Sequence, residues 1–182
     1  MSSWWSDHPD LETVARRGRK ELQQETLSAE LDNELLRKRR RQLVDVCYEW
    51  MNRGDLVTVS AGGQEFEGRL VAVVNDLLVV ATKTFEVVFN LTTVDFARSD
   101  RQAAFSGSSG DRTVGSFRAA LGRAEVDQNP IRLVGTAGVF DVTGVIDAST
   151  EDHVLIRDGQ GIEWALPRSR MAFAVGDFPT PR

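Results

Sequence analysis

The sequence predicts an α+β fold: an N-terminal long helix or helical arm followed by two similar small five-stranded β-barrels, joined by a linker with a short helix. Three observations carry this expectation. Helix-forming residues dominate to about Arg53, interrupted only by Pro9 and Gly18. At Asp55 the pattern changes to alternating Val, Thr and Phe punctuated by glycine. After about residue 131 that second pattern returns. The implied organisation is a helical arm over 1–54, a first barrel over 55–98, a linker over 99–130, a second barrel over 131–176 and a tail over 177–182.

The arm starts near Ser6 or Asp7 ahead of Pro9. Leu27, Leu31 and Leu35 recur at helical spacing, and Leu36, Leu43, Cys47, Trp50 and Met51 extend an apolar stripe. Glu12–Arg16, Arg17–Glu21, Glu34–Lys38 and Arg41–Asp45 are opposite-charge pairs four apart. The helix bends or breaks near Gly18 and ends at Arg53, with Gly54 as the residue past its end. Val57 and Val59, then Phe66, Gly68, Leu70 and Ala72, read as two strands around Ala61-Gly62-Gly63. Leu77–Thr82 reads as a short buried strand, Phe85–Phe89 as a fourth, and Val94 with Phe96 as a fifth. In the linker, Ser106–Gly110 is a Ser/Gly tract, and Ser116 caps a short helical pattern of Phe117, Ala120, Leu121 and Ala124.

The second β segment is expected to copy the first. A shift of 76 residues superposes Gly62, Phe66, Gly68 and Leu70 on Gly138, Val142, Gly144 and Ile146. One residue inserted in the loop Asp147–Asp152 makes the shift 77, and Leu77, Val79, Phe85, Val87, Phe89, Val94 and Phe96 then meet Val154, Ile156, Ile162, Trp164, Leu166, Met171 and Phe173. On this reading Trp164 fills the second barrel.

Composition narrows the functional classes. The chain has 182 residues, 27 acidic and 22 basic, with 41% hydrophobic residues, a folded composition. One cysteine and two histidines argue against a disulfide scaffold or a thiolate zinc site. No apolar run is long enough for a helical membrane span. The first residues lack the basic and apolar blocks of a signal peptide, so a cytoplasmic protein is expected.

The net charge of −5 is unevenly spread. Residues 1–54 balance ten acids against ten bases, and 99–130 balance four against four; the deficit lies in 55–98 and 131–182. Basic residues concentrate in two bursts, Arg16, Arg17, Arg19 and Lys20, and Arg37, Lys38, Arg39, Arg40 and Arg41. Five successive residues point all round a helix, so the second burst cannot form one face. It is a candidate for phosphates or an acidic protein surface, and the plainer reading is a solvated helical linker. Trp4 and Trp5 are candidate partner anchors, or pack back on the chain's own helices.

Other features favour plain structural roles. Cys47 lies on the apolar stripe with no histidine nearby, so a buried, inert thiol is expected. Glu151-Asp152-His153 invites an acid–base or metal reading, yet also describes a polar turn entering a strand. Gly159-Gln160-Gly161 lacks the third glycine and helix of a dinucleotide loop and reads as a hairpin turn. No catalytic, cofactor or metal residues are assigned.

Val57-Thr58-Val59 with Gly63, Phe66, Gly68, Leu70 and Asn75-Asp76 resembles the first motif of Sm-like proteins. Pro130–Leu133, Gly138, Gly144 and Asp147 resemble it more loosely. The resemblance implies a helix preceding a five-stranded, bent barrel, a grammar shared with SH3-like barrels. Its RNA pocket is not implied, because Leu77–Val80 holds no asparagine and Asn90–Thr93 no Arg-Gly pair. The whole chain also resembles a group of actinobacterial proteins, which implies no mechanism. The expected function is a non-enzymatic interaction or adaptor protein docking a protein partner, with homo-oligomers allowed. The alternative is a nucleic-acid-associated regulator using the basic runs. An enzyme is the weakest class, since no nucleophile–base pair can be assembled.

Overall fold

The computed structural model describes residues 38–100 and 115–176, together with Arg19, Leu22 and Leu36. The chain divides into two compact units, Met1–Gln42 and Leu43–Arg182. The described residues of the second unit hold two α-helices, α1 (Leu43–Arg53) and α2 (Phe117–Asp127). Its first five strands are β1 (Leu56–Ala61), β2 (Gln64–Val74), β3 (Leu77–Ala81), β4 (Glu86–Asn90) and β5 (Phe96–Asp100). The next five are β6 (Ile131–Gly135), β7 (Asp141–Ser149), β8 (His153–Asp158), β9 (Glu163–Pro167) and β10 (Met171–Val175).

The expected architecture of a long helix and two separate barrels does not occur. All ten strands join one open antiparallel sheet in the order β5-β1-β2-β3-β4-β10-β6-β7-β8-β9. The join is the pairing of β4 with β10, with Phe89 opposite Phe173 and Val87 opposite Val175. A five-stranded piece alone would leave β4 with a row of unpaired backbone groups; pairing with β10 satisfies them. The helix entering the first repeat is short. It spans 11 residues, preceded by non-helical Arg41 and Gln42, and it packs on β2 as part of the sheet unit.

Burial explains why the halves merge. In β3, Leu78 and Val80 join one apolar cluster, and Leu77 and Val79 the other. Alternate residues of a strand face opposite sides, so the two clusters cover opposite faces of this strand. One cluster holds Cys47 and Met51 of α1, and the other Phe117, Ala120, Leu121 and Ala124 of α2. The central strands therefore read as continuous apolar runs rather than alternating ones. Each cluster also crosses the join. Phe173 and Ala172 of β10 enter the cluster under α1, and Leu77, Val79 and Val88 enter the one under α2.

Within the sheet the two halves repeat helix plus five strands in the same neighbour order. Val57 pairs with Gly68 as Ile131 pairs with Gly144. Leu70 pairs with Val80 ahead of a bulge, as Ile146 does with Ile156. Leu77 faces Asn90 as His153 faces Pro167. These registers move the inserted residue. It lies in the β8–β9 turn, where Asp158 closes on Ile162 while Thr82 closes on Phe85. Leu78 and Val80, not Leu77 and Val79, therefore match Val154 and Ile156. The glycine-rich β1–β2 turn, Gly62-Gly63, matches the longer segment 136–139 between β6 and β7.

Local chemistry sets the helix ends. Gly54 at φ +71 allows the Asp55 N–H to close on the Trp50 carbonyl at 3.0 Å. Gln128 takes the same left-handed conformation after α2, closing on Ala124 at 3.1 Å. Ser116 caps α2 by accepting from the Ala119 N–H at 3.1 Å, as its position in the sequence predicts. Asp55 is buried and receives Arg53 Nη2 at 2.6 Å and Ser99 Oγ at 2.6 Å, which ties the end of α1 to β5.

Cys47 is fully buried, and burial pushes its thiol up to about 11. The thiolate is the reactive form, so at pH 8 almost none is present. A disulfide thiol reagent should label the native protein slowly at pH 8 and one thiol per chain at once in denaturant. Rapid native labelling would contradict the packing of α1.

Candidate functional site: the free sheet edges

Among the described residues the one-sheet topology leaves two free edges, β5 and β9. Each carries a large apolar side chain toward solvent: Phe96 on β5 is 43% exposed and Trp164 on β9 is 40% exposed. Ile162, at the turn into β9, is 49% exposed. Trp164 thus lies on an edge rather than filling a core, because among the described residues no strand lies beyond β9. Its indole N–H donates to Asp158 at 3.0 Å. The same carboxylate accepts from the Gln160 and Ile162 amides, each at 2.9 Å. These bonds, that from Trp164 foremost, hold the Asp158 carboxyl below the usual range and fix Trp164 in place. Gly159–Gly161 is the turn of this hairpin, as expected.

The turns nearest the join line a cavity of about 340 Å³. Asp76, Asn90 and Thr92 face it from the first repeat, and Glu151, Asp152 and Arg168 from the second. Its groups are largely committed to holding the fold. Asp76 accepts from the Phe117 N–H at 3.0 Å, and Asn90 Nδ2 donates to the Met171 carbonyl at 3.2 Å. Asp152 meets His153 Nδ1 at 2.7 Å and accepts from the Thr150 hydroxyl at 3.1 Å. The bond with His153, then that from Thr150, keeps the exposed Asp152 carboxyl below its ordinary value. Glu151, Asp152 and His153 therefore form a polar turn. Among the described residues no group of three or more His, Cys, Asp or Glu is placed to hold a metal.

Of the basic residues singled out above, Arg19, Lys38, Arg39, Arg40 and Arg41 are described, and all are exposed. Lys38–Arg40 are helical, so successive side chains project around the axis. Arg16, Arg17, Lys20 and Arg37 lie outside the described residues, as do Trp4 and Trp5. The sequence did not single out Phe96 or Ile162. Their periodicity is that of core residues, and only the strand order shows that they stand at an edge. No helix among the described residues is long and apolar enough to cross a membrane. Comparison with protein-family models, with curated proteins and with solved structures finds no match to this chain.

Proposed function

We propose that this chain is a non-enzymatic interaction protein that docks a polypeptide partner by strand addition at its free sheet edges. The observation that carries this reading is the pair of edges, β5 and β9, that no described strand pairs, each with an exposed aromatic side chain. An edge strand offers a row of backbone donors and acceptors, and flanking apolar side chains add area and specificity. A cytoplasmic location belongs to the same proposal.

The test compares the wild type with Phe96→Asp/Trp164→Asp as baits in native extract, with and without nuclease. A polypeptide held by the wild type, lost with the double variant and insensitive to nuclease is the expected result. Capture that disappears on nuclease treatment overturns it. That outcome would favour a second reading, in which the exposed run Lys38–Arg41 contacts nucleic acid phosphates. The second reading requires retention on nucleic acid that falls steeply with salt.

A further inference from the structure

We infer that the partner at these edges is a second copy of this chain, joined head to tail so that β9 of one copy pairs with β5 of the next. This rests on the reading of the edges as docking sites and names what docks there. The template is inside the chain. β9 holds the place in the second repeat that β4 holds in the first, and β5 the place that β10 holds. β4 and β10 already pair, so β9 and β5 have the geometry of an existing junction that lacks its other half.

The side chains fit that junction. Phe173 and Phe96 occupy matched positions, opposite Val134 in β6 and Ser60 in β1. Phe173 faces away from the cluster of its own helix and inserts into that of the other repeat, 4.8 Å from Phe66 and 5.8 Å from Phe89 by ring centroids. Phe96 has the same orientation relative to its own repeat: its neighbour Ala97 packs on the α1 cluster, so Phe96 points away from it. Among the described residues no strand pairs beyond β5, and Phe96 is 43% exposed where Phe173 is fully buried. The β4–β10 register carried over to β9–β5 sets Leu166 opposite Phe96, Ala165 opposite Ala97 and Trp164 opposite Arg98 of the next copy. That places a guanidinium beside an indole face.

The helix gives an independent match. Phe117 opens α2 as Leu43 opens α1. Phe117 is fully buried in a cluster that Leu77, Val79 and Val88, from β3 and β4 of the other repeat, help to build. Leu43 is 41% exposed, with no matching strand over it among the described residues. The exposed apolar residues Leu43 and Phe96 thus belong to one half-junction, and Trp164, which matches the fully buried Val87, to the other. Pro167, which cannot donate to a ladder, matches Asn90, which lies just past the paired stretch Val87–Phe89. It does not block the pairing.

A junction between unlike edges is heterologous, so assembly continues until it closes. Sedimentation of the purified full chain should show a discrete species of more than one chain that dissociates on dilution. Phe96→Glu and Trp164→Glu should each reduce it to monomer, with an unchanged far-ultraviolet circular dichroism spectrum. Mixed in equal amounts, the two variants should form a species of two chains, because each keeps the edge the other lacks. Ala165→Glu, at the exposed position that matches buried Val88 and clear of the Asp158–Trp164 bond, should behave as Trp164→Glu does. A wild type that is monomeric at all concentrations overturns the inference, as does an assembly that survives both single variants, or variants that stay monomeric when mixed. If a monomeric wild type still captures another polypeptide through the same edges, the docking reading stands and only the identity of the partner falls.

Discussion

Gly68→Ala and Gly144→Ala should each lower the stability of the sheet unit by about 3 kcal/mol or prevent folding, the upper range for overpacking. A methyl carbon on Gly68 would stand 2.2 Å from the Ala81 carbonyl oxygen and 2.8 Å from its carbonyl carbon. On Gly144 it would stand 2.2 Å from the Arg157 carbonyl oxygen. Both obstacles are backbone of the next strand, so no rotamer change relieves them. The strands would have to part where they are bonded, at Arg69–Ala81 and Gly144–Asp158. Gly122→Ala is the control of opposite sign. It lies within α2 with nothing within 4 Å of the added carbon, so removing the helical glycine should stabilise by up to about 1 kcal/mol. Urea midpoints of the three variants check this. A Gly68 variant with the wild-type midpoint would mean that β2 and β3 are not packed as described.

These two glycines also show how much of the fold is legible in the sequence. Their recurrence marks the repeat because each sits where a neighbouring strand's backbone comes close. Helix ends are legible for the same local reason: Gly54 takes a left-handed conformation, and Ser116 caps the helix that follows it. Strand order is not local. That β4 pairs with β10 depends on which exposed edge meets which, and residues on both sides of the choice are apolar. One clue was present. Leu77–Ala81 has no polar alternation, which fits a strand covered on both faces and fits poorly with a small barrel having one face to water. Sequence alone does not place the inserted residue, because short apolar runs can be slid by one without losing hydrophobic matches. Only the hydrogen-bond register fixes it. The edge residues were illegible for a related reason: Trp164 alternates with Leu166 as a core residue would, and it stands in the open because the sheet stops there.

Phe173→Ala should cost about 3–5 kcal/mol, the range for removing a buried phenylalanine. Its larger consequence is where the loss is felt. Phe173 is anchored in β10 but buried among Phe66 and Phe89, so it ties the backbone of the second repeat to the core of the first. If the repeats were independent, removing it would weaken one and spare the other. If they share one sheet and interlocking clusters, amides in β1 and in β8 should lose protection together. Hydrogen exchange near the urea midpoint separates the cases. The expected result is an equal fall in the protection of Val59 and Ile156, residues on the strands next to the two edges of the sheet and each fully buried in a different cluster. A fall confined to Val59 would mean that the β4–β10 join is a contact between two separately stable halves. The same measurement bears on assembly. A join that makes two repeats unfold as one is strong enough to serve again between chains, and a join that does not transmit the loss gives the free edges little reason to copy it.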